Sequence, residues 1–132
     1  MHHPYQEILK HLPDFRVKYR FFTPEEGGRW SLPSQGYRSD FDYAERIPDD
    51  KGIYMIWPEF EDETSQVITD NKTSVPTIGT ARMWVVNPEM RNRHQQRVKV
   101  GTKGYFMEGE RVATCEVIEL VGLLSNPVKK QV

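Results

Sequence analysis

Four histidines, one cysteine and several paired acids are the side chains in this sequence able to bind a metal, attack a substrate or move a proton. Their spacing argues against all three. His2, His3, His11 and His94 have no helix or hairpin spacing that sets two imidazoles against a carboxylate, as a zinc centre requires, and they read as ordinary surface histidines. Glu25-Glu26 and Asp49-Asp50 place acids at adjacent positions, where neighbouring side chains point apart and do not share a site for acid and base work. They read as solvated turns. Ser31, Ser34 and Ser39 stand in loop-like sequence without a nucleophile elbow. Cys115 has no histidine near it in sequence and falls in an expected strand, where a small buried apolar side chain is the first reading and a reactive thiol the second. No Gly-x-x-x-x-Gly-Lys-Ser/Thr loop is present to cradle phosphates. The expectation is a protein without catalytic residues, metal ligands, cofactor or bound nucleotide, because nothing assembles a nucleophile, a base and an oxyanion donor.

The elements that carry these residues follow from length and periodicity. A chain of 132 residues with 37% hydrophobic content buries one core and forms one domain. Its 18 basic and 19 acidic side chains nearly cancel, so no global field draws it to nucleic acid or to an anionic membrane, and any such binding is local. No apolar run is long enough to cross a membrane and the N-terminus does not read as a signal sequence, so no membrane contact is expected and a reducing cytosol is the expected compartment. Charge is uneven along the sequence. Acids crowd positions 40 to 70, among them Glu59, Glu61, Asp62 and Glu63, and cations crowd positions 82 to 103, from Arg82 to Lys103. The expected molecule is electrically two-faced, each face either solvated surface or a patch for a partner.

Tyr5, Ile8, Leu9 and Leu12 fall at helical spacing before Pro13, which predicts a short amphipathic helix packed on the domain. Phe15, Val17, Tyr19 and Phe21 alternate with Arg16, Lys18 and Arg20, the strongest strand signal in the chain. Further strands are predicted at Tyr37 to Ala44, at Gly52 to Trp57 with both faces buried, at Ile78 to Val86, at Gln95 to Val100, at Lys103 to Met107 and at Arg111 to Leu120, with turns at Asp49-Asp50-Lys51-Gly52, Gly101-Thr102 and Glu108-Gly109-Glu110. Short strands at this spacing argue for an all-β barrel or sandwich. The predicted organisation is an N-terminal helical extension over 1–13, a β domain over 14–123 that carries an acidic insertion at 58–76, and a flexible tail over 124–132. Trp57 and Trp84 read as core, and Trp30 as the tryptophan placed for exposed contact.

Three segments in order, Glu25-Glu26-Gly27-Gly28-Arg29, Tyr37-Arg38-Ser39-Asp40-Phe41 and Met107-Glu108-Gly109-Glu110-Arg111-Val112, resemble the loops of the third, C-terminal domain of bacterial elongation factor Tu. The resemblance spans about Asp14 to Leu123. It implies an antiparallel closed β-barrel of about six strands and a non-catalytic, translation-associated binding module. In that family the domain grips the T stem of tRNA and packs against protein partners. The resemblance therefore implies contact through Arg29, Trp30, Arg38, Glu108 and Gly109, with an RNA stem or a protein as the partner. The GTPase chemistry belongs to another domain of the family, and Asn71-Lys72-Thr73-Ser74 lacks the aspartate that reads guanine. Asp40 stands where the family has glutamine, and Asn87 precedes Pro88 where the family has a cation. Both changes lower the attraction for phosphate, so weak RNA binding is expected. The alternative is a protein-interaction or immunity-type module that reuses the barrel without RNA, its contact surface the acidic stretch from Glu59 to Asp70.

Overall fold

In the β1 strand, Phe15–Phe21, every second residue is apolar, and the computed structural model, which describes residues 1–48, 50 and 52–129, buries that face completely. β1 lies near the middle of one sheet with β2 (Asp40–Tyr43), β3 (Ile56–Glu61), β4 (Ile78–Val85), β5 (Lys103–Glu108) and β6 (Glu110–Leu120). The strand order is β2-β5-β6-β1-β4-β3, and every neighbouring pair is antiparallel. The sheet curls around its apolar face, where the rings of Tyr19, Phe21, Phe60 and Phe106 meet, mostly edge to face, with centroids 5.3 to 6.4 Å apart. Edge-to-face contacts of this kind add to the stabilisation from burial itself.

Six antiparallel strands and a short helix agree with the all-β expectation, but the sheet is not a closed barrel. Its edge strands β2 and β3 form no ladder. The chain just before β3 touches β2 at one isolated bridge, in which Phe41 and Tyr54 exchange backbone hydrogen bonds of 2.8 Å. The strand predicted at Gly52 to Trp57 with both faces buried is also corrected. Ile53 and Met55 are 53% and 51% exposed, and the regular strand runs later, through Pro58-Glu59-Phe60-Glu61. The sequence places those residues in the acidic insertion because of their carboxylates. Glu59 and Glu61 are nonetheless buried, since each oxygen finds a donor from a distant element. The remainder of the insertion contributes two isolated bridges, Val67 to Glu61 and Ser74 to Ser34.

The strand predicted at Gln95 to Val100 is a helix, α2, Arg91–Arg97. Asn87 accepts a hydrogen bond from the Glu89 amide and starts a 3-10 turn, Pro88–Met90, that runs straight into it. The segment Arg-Asn-Arg-His-Gln-Gln-Arg has no β-branched residue, and its arginines and glutamines favour a helix. The N-terminal helix α1, Tyr5–Leu9, is shorter than predicted because Lys10 turns into a left-handed conformation, and none of its residues is buried. The predicted packed stripe is thus largely open to solvent, and Tyr5 alone sits edge-on against Trp84, 5.8 Å away. The predicted free tail is tied at its start. Asn126 is 8% exposed and donates to Asp14 and to the Leu12 carbonyl. Asp49 and Lys51 of the predicted turn, and residues 130–132 of the predicted tail, lie outside the described residues. Among the described residues no helix is long and apolar enough to cross a membrane.

Candidate functional site

The first loop is built around Thr23. Its hydroxyl accepts from the Glu26 amide while the Glu26 carboxylate accepts from the Thr23 amide, a capping box on the 3-10 turn Pro24–Glu26. Gly27 closes that turn at φ +91°, a conformation that costs side-chain-bearing residues energy. Gly28 has a different reason, because a Cβ there would stand 2.3 Å from the Phe22 carbonyl oxygen. Both glycines serve the loop's own path rather than the approach of a ligand.

That path delivers Arg29 to the β5–β6 hairpin. Its Nε lies 3.5 Å from a Glu108 carboxylate oxygen, and its guanidinium lies over the Tyr37 ring at 4.9 Å. Gly109 supplies the positive φ, +73°, that lets Glu108 and Glu110 stand opposite each other across the hairpin. Arg29 Nη1 and the Tyr37 hydroxyl are buried without a hydrogen-bond partner among the described residues. Burial, reinforced by the Glu108 charge and opposed by Arg29, pushes the Tyr37 hydroxyl up to about 12, so it stays protonated. Trp30 stands outside this cluster at 93% exposure, beside a cleft of about 150 Å³ that also takes in Phe22, Pro24, Leu32 and Thr77.

The structure thus brings Arg29 against Glu108 beside the Gly109 turn and adds Tyr37, which the sequence offered only as a motif aromatic; Trp30 follows Arg29 in the chain but stands outside that contact. Arg38 has other neighbours: its guanidinium lies over Trp57 at 4.6 Å, against the cleft beside α1. Local charge around Arg29 is not cationic. Arg20 is paired with Glu26, Arg29 with Glu108, and Glu25 and Glu110 are exposed nearby in sequence.

The acidic and basic stretches are not wholly separate, because two ion pairs join them. Arg82 and Arg16 hold Glu61, and Arg97 holds Asp50. Burial pushes the Glu61 carboxyl up, but hydrogen bonds from Arg16, Thr80 and Arg82 outweigh it and leave its pKa below the ordinary value. Asp62 accepts from Thr64 and from the Gln66 amide within its own turn. Within the stretch from Glu59 to Asp70, Glu59 and Glu61 are therefore buried and bonded, whereas Asp62, Glu63 and Asp70 form no salt bridge among the described residues.

Two of the histidines read as surface groups are interior. His2 bonds Glu59 at 2.6 Å, and His94, 1% exposed, shares a 2.7 Å hydrogen bond with the Tyr43 hydroxyl. Burial, helped by Arg93 and Arg97 and opposed by Asp50, pushes His94 down to about 4, so the imidazole is neutral near neutral pH. No sequence signal marks it, since the predicted strand begins after it, at Gln95, and no helix is predicted over Arg91–Arg97. Cys115 is buried, and burial pushes its thiol up, away from thiolate chemistry. Among the described residues no group of three or more His, Cys, Asp or Glu side chains is arranged to hold a metal ion. No protein-family model matches this chain, and no curated protein matches it either.

Proposed function

We propose that the protein is a non-catalytic binding module that docks a protein partner through the face formed by Trp30, Arg29, Tyr37 and the Glu108-Gly109 turn. The observation that carries this reading is Trp30, an indole 93% exposed beside a small apolar cleft and a rim of paired charges. Tryptophan leads the residues that dominate binding energy when a partner covers them, and paired rim charges contribute register more than affinity. The resemblance of the three loops to the elongation factor's third domain makes a translation factor the partner class to try first.

A second reading, an RNA stem, has one observation in its favour. The exposed indole stands next to an arginine, a combination that stacks on bases and meets phosphate. The carboxylates of Glu25, Glu26, Glu108 and Glu110 oppose it. Two measurements separate these readings. Trp30→Ala is expected to weaken partner binding by about 2 kcal/mol or more and to leave the melting temperature unchanged, because the side chain buries nothing. Unchanged affinity would end the proposal. For a tRNA transcript in gel-shift titrations, Arg29→Ala is expected to lower the salt slope by about one if a phosphate is contacted there. Absence of any shift at low salt would remove the RNA reading.

A further inference from the structure

The cleft beside α1 is separate from the Trp30 face and has a different chemistry. It encloses about 490 Å³, within the range of small-molecule sites. Its floor is aromatic: Tyr5 from α1, Trp57 from β3 and Trp84 from β4. Glu59, behind that floor, holds two of these elements in place by accepting from the Trp84 indole N–H at 3.1 Å and the Tyr5 amide at 2.9 Å. The remaining approach to the same carboxylate is taken by His2. Ile8 and Leu9, exposed on α1, form one apolar wall.

The charges at this cleft have one sign. Lys10, Arg38 and Lys129 line it, and no carboxylate does. None of these three has an acidic partner within salt-bridge distance among the described residues, in contrast to the paired arginines elsewhere. Arg91 also reaches the cleft but is committed to Asp14. Arg38 sits over Trp57, its guanidinium carbon 4.6 Å from the ring centroid, which holds a cation at the edge of the aromatic floor. A flat apolar body on the tryptophans and an anionic group beside Arg38 and Lys10 would satisfy both features at once.

We propose that this cleft binds a small planar aromatic molecule carrying one anionic group, such as an aromatic carboxylate or sulfonate. The anion engages Arg38 and Lys10, and the ring system rests beside Tyr5 and Trp57, above the buried Trp84, with Ile8 and Leu9 over it.

A matched pair of fluorescent probes tests this, 1-anilinonaphthalene-8-sulfonate and N-phenyl-1-naphthylamine, which differ only by the sulfonate. The sulfonate probe is expected to bind one-to-one, about tenfold more tightly than the neutral probe, and to raise the melting temperature followed by circular dichroism, as a ligand of the folded state must. Arg38→Gln is expected to remove most of that advantage, leaving about the threefold share of Lys10, and to leave the neutral probe unchanged. Lys10→Gln, on the exposed end of α1, gives an independent arm with a loss of about threefold for the sulfonate probe alone. Trp30→Ala lies outside the cleft and should change neither probe, so failure here and failure of the docking proposal are distinguishable. Equal affinities for the two probes, a lowered melting temperature, or insensitivity to both Arg38→Gln and Lys10→Gln would overturn the assignment.

Discussion

Replacing Asp14 by alanine is expected to destabilise the protein by about 3–5 kcal/mol, the cost of leaving a buried cation without its partner. Asp14 is fully buried just before β1 and binds three separated parts of the chain. One carboxylate oxygen accepts from Arg91 Nε at 2.7 Å and from the Asn126 side chain at 3.0 Å, and the other accepts from the Val85 amide at 2.8 Å. Arg91 in turn donates to the carbonyls of Val85 and Pro127. Without the carboxylate, the guanidinium stays buried at 2% exposure against neutral acceptors only. A buried pair removed as a pair costs far less than one broken in half. Asp14→Leu combined with Arg91→Met is therefore expected to recover a large part of the loss, and urea unfolding of the wild type, both single variants and the double variant measures it. A cost below about 1 kcal/mol for Asp14→Ala would show that the junction is not electrostatically coupled.

Acidification is expected to unfold the protein partly through one histidine. His94 has its folded-state pKa lowered from 6.5 to about 4, so between these values the unfolded chain binds a proton that the folded one does not. Its contribution is complete above the unfolded value and is lost as pH falls from about 6.5 towards 4. Between about pH 7 and pH 5 the linkage amounts to about 2 kcal/mol. The groups that face the imidazole act within the same cluster: Tyr43 by hydrogen bond, Tyr54 by an edge contact at 4.7 Å, and Arg93, Arg97, Arg91 and Asp50 through their charge. The carboxyl of Asp50 is held down at about 2, where hydrogen bonds from Tyr54, Gly52 and Arg97 outweigh burial, so it titrates below this window. His94→Gln is expected to flatten the loss of stability between those two pH values while lowering stability at neutral pH through imperfect packing. A slope identical to that of the wild type would assign the acid sensitivity to other groups.

The parts of the fold that were legible in the sequence are those whose pattern is local. β1 declares itself by strict alternation, and the β5–β6 hairpin by a glycine that takes a positive φ between two strand-like runs. β3 is hidden in the sequence because its acids find their partners far away, Glu59 in hydrogen bonds with His2 and Trp84, Glu61 in ion pairs with Arg16 and Arg82. Local polarity then reads as a loop. α2 was hidden because the two valines that follow it, Val98 and Val100, carry a strand-like signal that does not reach back to its first turns. For the candidate face, the loop resemblance implied contact through Arg29, Trp30, Arg38, Glu108 and Gly109, and the Arg29–Glu108 pair, the Tyr37 contact and the turn of Arg38 onto Trp57 depend on how the sheet curls. The cleft beside α1 left one trace, the apolar stripe of Ile8 and Leu9, which reads as packed surface until the helix is seen to stand partly clear of the sheet.

The central claim, that the Trp30 face is where a protein partner docks, is tested most directly by site-specific photo-crosslinking in native lysate treated with ribonuclease. Two variants carry p-benzoylphenylalanine, one in place of the exposed Ser31 beside Trp30 and the other in place of Glu63 on the exposed acidic turn. The account predicts a discrete protein adduct from position 31, competed by unlabelled wild type and not by Trp30→Ala, and none of comparable yield from position 63. An adduct from position 63 with none from position 31 would contradict it.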